Sequence, residues 1–327
     1  MTIRRITRRS FRSQPASPSP APSATGALLA RPRSIRHDPR HTASAFALAA
    51  PAVLLLLVLY GLPTLAVLVI SVSDWRFGST QLAFVGLSNF AGVLSDPGFR
   101  ASLANTVTYV AIVLPGTAGL GLVIALLIES RPSFRAIYRA IHFLPFMATL
   151  SAMAIAWDAL LNPSVGLVNH ILTSLGFSAV NWLNDDRTVL PVLAAIGIWQ
   201  GLGYAMVLFM AGLKSIPGEL YDAAQIDGAD GWLDRLCTVT LPMLAPVTMF
   251  VVIVVALRAL QIFDIVQILT KGGPGHASEM LLYTLYRESF DYLRAGQGAA
   301  IAMIFLGLVV ALTLTQARFM DSKVHYQ

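Results

Sequence analysis

Two groups of polar side chains interrupt otherwise apolar stretches of the sequence. Trp199, Gln200 and Tyr204 cluster around Gly197 and Gly201, while Arg258 and Gln261 stand three residues apart, on one face if the stretch is helical. Aromatic faces, amides and a guanidinium in an apolar wall suit the noncovalent holding of a hydroxyl-rich molecule. Covalent chemistry lacks its usual apparatus. No Gly-Lys dipeptide occurs, which removes a phosphate-binding P-loop, and the six histidines are scattered. Cys237 is the single cysteine, which excludes a disulfide framework and every multi-cysteine metal site. No cofactor, metal or enzymatic activity is expected of this chain.

The elements that carry these side chains follow from composition. Of 327 residues 56% are hydrophobic and 12% charged, and the mean hydropathy is +0.67. A soluble core of this size needs a far more charged shell, so the chain belongs in a bilayer. Nine of the 23 basic residues and one of the 17 acids lie in residues 1–41, leaving 14 and 16 for the rest. The folded part is therefore slightly acidic and has no basic face for nucleic acid. Six stretches, 45–70, 103–128, 141–161, 190–213, 241–262 and 297–316, reach the ~20 apolar residues that a membrane-spanning helix needs. Each must be helical, because lipid offers the backbone of a single segment no other partner.

Depth follows from helical rise. Gln200 falls about 15 Å from residue 190, near the bilayer centre, and Arg258 about 25 Å from residue 241. Gly197 and Gly201 also form a GxxxG, which serves close helix packing equally well. An arginine inside a span faces protein or a wet cavity, snorkels outward, or pairs with an acid; Asp158, at similar depth on the third span, is the available partner. Phe146 and Thr149 stand at midplane depth on that span.

With both termini in the cytoplasm, sixteen Lys and Arg fall inside and six outside, the orientation that positive charge favours. Residues 1–43, rich in Pro, Ser, Ala and Arg, read as a disordered basic tail that can touch anionic lipid; 44–320 is the six-span domain, and 321–327 a second cytoplasmic tail. Arg8-Arg9-Ser10-Phe11 imitates a twin-arginine signal, but its apolar stretch begins some thirty residues too late. Residues 165–175 show apolar spacing for a short interfacial helix near Trp182, or else a plain loop.

The 215–240 loop is unlike the other connections. Pro217 suits a first helical turn, Glu219 and Asp222 its positive end, and Gly228 a stop or bend. A structured acidic helix between spans suggests a docking surface. The run Asp222-Ala223-Ala224, then Asp227-Gly228-Ala229 and Leu241-Pro242, resembles the EAA loop of permease subunits in binding-protein-dependent ABC importers. Phe84-Val85-Gly86-Leu87-Ser88-Asn89-Phe90, Phe143-Leu144-Pro145, Ile216-Pro217 with Leu220-Tyr221, and Phe263-Asp264 followed by Leu269-Thr270 and Gly272-Gly273-Pro274 look like its carbohydrate-uptake branch, that of the larger maltose permease subunit. The likeness covers 45–319 and departs at Asp222, where the family usually has Glu.

The resemblance implies an all-α membrane fold of six transmembrane helices with a cytoplasmic coupling helix between helices four and five. Glu219, Tyr221, Asp222, Ala223, Ala224, Asp227, Gly228 and Ala229 would couple it to an ATPase subunit. The implied partners are a second homologous permease chain, two ATPase copies that carry ATP hydrolysis, and an extracytoplasmic solute-binding protein. Sugar contacts in the family match Gln200, Gly201 and Tyr204 on span four and Phe146 and Leu150 on span three. The expected substrate path is Phe146, Thr149, Leu150, Gly197, Gln200, Gly201, Tyr204, Arg258 and Gln261, and the expected cargo a di- or oligosaccharide such as trehalose or maltose. A glycerol phosphate ester, with Arg258 as counter-charge, is the alternative cargo. An ion-driven secondary transporter is the alternative mechanism, although no paired half-repeats with intramembrane acids are present.

Overall fold

In the computed structural model, residues 39–76, 78–79, 81–130 and 133–323 are described. The expected disordered tail therefore lies almost wholly outside the described residues, as do the last four residues. Helices dominate, and the bridge between Ser73 and Phe84 is the one extended pairing among the described residues. Among the described residues, the part of the chain up to Leu57 contains the single helix α1 (Pro39–Leu56). From Val58 on, the second unit contains α2 (Leu62–Ser71), α3 (Ser88–Ser95), α4 (Pro97–Ser130), α5 (Arg135–Met147), α6 (Leu150–Leu161), α7 (Leu167–Ser174) and α8 (Val189–Ser215). It continues with α9 (Gly218–Ile226), α10 (Trp232–Arg235), α11 (Leu241–Met243), α12 (Ala245–Leu260), α13 (Asp264–Leu269), α14 (Leu281–Tyr286) and α15 (Ala295–Lys323).

Five helical stretches, Leu48–Ser71, Pro97–Ser130, Val189–Ser215, Ala245–Leu269 and Ala295–Gln316, are long and apolar enough to cross a membrane. The sixth, expected as one continuous helix over 141–161, is a broken pair: α5 and α6 meet at 97°. Ala148 and Thr149 are extended, with ψ of 146° and 137°. Pro145, inside the last turn of α5, has no N–H to donate and weakens that turn just before the break. Pro63 acts more mildly, because a π turn over Leu57–Gly61 absorbs its missing hydrogen bond.

The centre of the second unit is the contact of α4 with α8. Small residues let the two backbones approach, each receiving a larger side chain from the other helix: Gly116 faces Ile198, Gly121 faces Ala205, Gly197 faces Tyr109 and Gly201 faces Thr117. Below this seam Ala125, Met206, Phe209, Val251 and Val255 form a buried cluster that brings in α12. The backbone of α5 touches α8 at Gly203, and a Cβ there would lie 2.0 Å from the carbonyl oxygen of His142. The side of α2 bearing Leu62, Leu65 and Val69 is exposed, as a surface toward lipid or another subunit must be.

Polar ties hold the connections. Asn169 of α7 accepts from the Val180 amide and the Trp182 indole N–H and donates to the Val180 carbonyl at 2.8 Å. Residues 165–175 thus include a true helix, and Trp182 fastens it. The Glu279 carboxylate is buried and accepts from Thr284 Oγ1 at 3.1 Å, pairs with Arg287 at 3.0 Å and contacts His276 Nδ1. Asn105 of α4 donates to the carbonyls of His276 and Glu279 and so anchors this segment to α4.

Gly203 supplies a test of the α5–α8 contact. Gly203→Ala should destabilise the purified protein by about 1–3 kcal/mol through overpacking against backbone. Gly119→Ala, where nothing lies within 4 Å of the added carbon, should leave the thermal midpoint in detergent unchanged or slightly raised. Equal midpoints for the two variants would show that α5 does not approach α8 in this way.

Candidate functional site

Where α4, α8, α12 and the break of the third span converge, they enclose a cavity of ≈ 230 Å³. Eight of the nine expected path residues line it: Phe146, Leu150, Gly197, Gln200, Gly201, Tyr204, Arg258 and Gln261. The ninth, Thr149, is the extended residue between α5 and α6 and is not among the lining residues. The break itself is what turns Phe146, at the end of α5, and Leu150, at the start of α6, toward the same space.

Arg258 resolves the alternatives left open by its sequence. Its guanidinium carbon lies 4.7 Å from the Phe146 ring centroid and 5.2 Å from that of Tyr204. Those two rings stack on each other at 4.8 Å and 19°. Asp158 is exposed and forms no ion pair with Arg258. Two aromatic faces therefore hold the cation in place, and its N–H donors have no acceptor among the described residues. Trp199 does not line the cavity; it packs edge-on against Trp157 at 5.4 Å.

The cavity also has residues outside the expected path: Phe263 and Asp264, which follow α12, and, from α4, Tyr109 and Thr117, which the sequence did not single out. Tyr109 is 4% exposed and Thr117 1%, and neither hydroxyl has a hydrogen-bond partner among the described residues. The signal for them was weak, because a Tyr and a Thr eight residues apart on a helix read as ordinary packing until the facing glycines are located in space. Gln200 and Gln261 likewise make no side-chain hydrogen bond. With Arg258, Asp264 and the Tyr204 hydroxyl, seven polar side chains border one cavity without a side-chain hydrogen bond among the described residues.

A second, more polar recess of ≈ 280 Å³ lies among Asp96, Phe99, Thr284, Glu288, Arg294 and Gln297. Burial pushes the Glu288 carboxyl above its ordinary range, against the pull of Arg294 at 3.6 Å. Asp96 is already occupied in capping α4, where it accepts from the Phe99 amide at 2.8 Å.

Beyond Tyr204, α8 continues to Ser215, and Pro217 then caps α9. Tyr221 and Ala224 turn inward onto Ile216, Val239 and Leu244, and Tyr221 hydrogen-bonds Thr240 at 3.1 Å. Glu219, Asp222, Ala223 and Asp227 remain exposed. Gly228 has φ +95°, a conformation that side chains oppose, and it reverses the chain after α9. Arg235 donates to the Ala229 carbonyl at 3.1 Å and sets the turn. From α10 the chain runs through a π turn, Leu236–Thr240, into α11. Ile226, 86% exposed, and Trp232, 69%, stand beside the acids. The outer face of this braced helix is therefore acidic with an apolar fringe.

These features are those of a transporter's membrane subunit. The family of binding-protein-dependent transport system inner membrane components matches residues 119–324, and the chain belongs to it. Its relatives are permease subunits of ABC transporters, which are not themselves enzymes. The probable ABC transporter permease protein YurN of Bacillus subtilis is 32% identical over 82% of this chain and 93% of its own. The sn-glycerol-3-phosphate transport system permease protein UgpA of Agrobacterium fabrum is 34% identical over 86% and 96%. A crystal structure of a bacterial ABC transporter involved in import of the acidic polysaccharide alginate has a chain with the same fold, at TM-score 0.76 and 20% identity, over 88% of this chain and 98% of that one. A second alginate transporter structure, in complex with a periplasmic protein bound to an alginate pentasaccharide, matches at TM-score 0.74.

Because Arg258 is held by rings and not by Asp158, Arg258→Gln and Asp158→Asn should act independently on stability. Their coupling in a double-mutant cycle of thermal unfolding should stay within about 0.5 kcal/mol. A coupling of several kcal/mol would reveal the ion pair that the geometry excludes.

Proposed function

We propose that this chain forms half of the translocation pathway of an ATP-driven importer for a sugar, a di- or oligosaccharide such as trehalose or maltose. One observation carries the reading: the cavity joins an aromatic stack to seven polar side chains with no hydrogen-bond partner among the described residues. A hydroxyl-rich molecule satisfies such groups at several points, whereas an apolar one leaves them all desolvated and unpaired. Its volume is below the ~300–1,000 Å³ usual for a ligand site. A second, homologous permease chain facing this wall would supply the remainder.

In this reading both termini are cytoplasmic, α9 is the coupling helix, and Glu219, Tyr221, Asp222, Ala223, Ala224, Asp227, Gly228 and Ala229 seat it in one of two ATPase subunits. An extracytoplasmic solute-binding protein delivers the cargo to the opposite side. The alginate transporter with its bound periplasmic protein supports that partnership by its common fold. The acidic face of α9 carries no catalytic group, so nucleotide hydrolysis belongs to the partners.

A second reading is import of a glycerol phosphate ester. The unpaired guanidinium of Arg258 favours it, since planar donors without an acceptor suit a phosphate oxygen pair. The relationship to UgpA of Agrobacterium fabrum supports it as well.

Uptake by the complete importer separates the two. For a neutral sugar, Arg258→Gln keeps some donors and should lower uptake several-fold, with Arg258→Lys no better. For a phosphate ester, glutamine should nearly abolish uptake and lysine restore much of it as a point charge. Full uptake by Arg258→Gln would remove the residue from the path. For the coupling helix, Gly228→Trp should leave membrane insertion intact and abolish transport, because the φ +95° turn excludes a side chain. Normal uptake by that variant would end the docking assignment.

A further inference from the structure

The two α4 side chains nearest to the α8 glycines Gly197 and Gly201 carry hydroxyls, and both residues line the cavity. Gly197 makes room for one: a Cβ at that position would sit 2.2 Å from the Tyr109 hydroxyl oxygen. Gly201, one turn further along α8, leaves space where a Cβ would stand 3.5 Å from Thr117 Oγ1 and 3.1 Å from its methyl. Packing alone would be served as well by Phe and Val, which fill the same volume. Buried tyrosine and threonine hydroxyls normally find partners. A threonine in a helix has the carbonyl four residues back within easy reach, as Thr106 and Thr108 use theirs on the same helix. Thr117 makes no such bond, and its oxygen is buried without any partner.

Leaving two hydroxyls unpaired beside a cavity is costly in an empty site and useful in a filled one. We infer that Tyr109 and Thr117 are binding residues contributed by the second span, each forming a hydrogen bond to a hydroxyl or other oxygen of the transported molecule. They stand eight residues apart on α4, about 12 Å of helical rise, and meet α8 at Gly197 and Gly201, so they contact the cargo at two heights in the cavity that Phe146, Tyr204 and Arg258 also line. Their effect is selectivity. A site built to hydrogen-bond a hydroxyl discriminates strongly against a molecule without it, because the site's own groups are then left unpaired. This inference rests on the reading of the cavity as the cargo path, and it adds the α4 side of that path.

The test is equilibrium binding to the purified complex of this chain with its partner permease and ATPase subunits, without the solute-binding protein, so that the permease site alone selects. Radiolabelled maltose, trehalose and sn-glycerol 3-phosphate serve as probes. Tyr109→Phe and Thr117→Val each remove one hydroxyl at nearly constant shape. Each should weaken binding of the preferred probe about three- to tenfold, the worth of one hydrogen bond, with the yield of assembled complex unchanged. Thr117→Ser should bind within twofold of the wild type. Wild-type affinity in both Tyr109→Phe and Thr117→Val, with Gln200→Ala and Arg258→Gln impaired, overturns this inference and leaves the path reading standing. A loss of complex yield in both variants, matching their loss of binding, also overturns it, because the hydroxyls are then structural. If the wild type binds none of the three probes, the path reading and this inference fall together.

Discussion

The close approach of α4 to α8 is the constraint from which the rest of the second unit follows. In lipid there is little hydrophobic gain from bringing two apolar helices together, so association depends on contact quality. Glycines on both helices, each facing a larger side chain from the other, supply that contact along several turns. Once the two axes are fixed, α12 has a groove formed by Ala125, Met206 and Phe209 in which to lie. At Gly203, α5 can then reach the other side of α8. The cavity is the space that remains where these helices diverge and the third span breaks.

Arg258 illustrates how a costly group is accommodated without a counter-ion. A guanidinium at membrane depth usually takes a carboxylate, and that pair would consume the very donors a cargo needs. Two stacked rings stabilise the charge through their faces and leave its edge free. Orientation comes from Phe146 and Tyr204, and the N–H groups are left without an acceptor among the described residues. The opposite arrangement appears at the Glu279 segment, where Arg287 is engaged by a buried acid as well as by tyrosines and thus acts as a structural tie.

Much of this architecture was legible in the sequence, because lipid imposes length and apolarity on each span without regard to tertiary detail. Five spans and the α9 segment with its Gly228 turn follow from that constraint and from local turn chemistry. The break at Ala148 and Thr149 did not, since Pro145 in an apolar run is compatible with an intact, kinked helix and only the packing of α5 and α6 on different neighbours decides between them. Tyr109 and Thr117 were illegible for a related reason. Their significance depends on which glycines face them, and that pairing of α4 with α8 joins residues far apart in the chain. Arg258 was legible as an anomaly, but its seat against two stacked rings on two other helices was not.

The extended link at Ala148 and Thr149 has a consequence for hydration. Peptide groups outside a helix and away from lipid headgroups must find other partners, and such backbone is stable at this depth only inside protein or beside water. Phe146 and Leu150 flank the link and both line the cavity; the Thr149 carbonyl accepts from the Met153 amide at 3.1 Å, and the remaining peptide groups of the link lie beside a space that water can enter. In the proposed importer, a path hydrated at its centre would leave the electrical seal to its two ends.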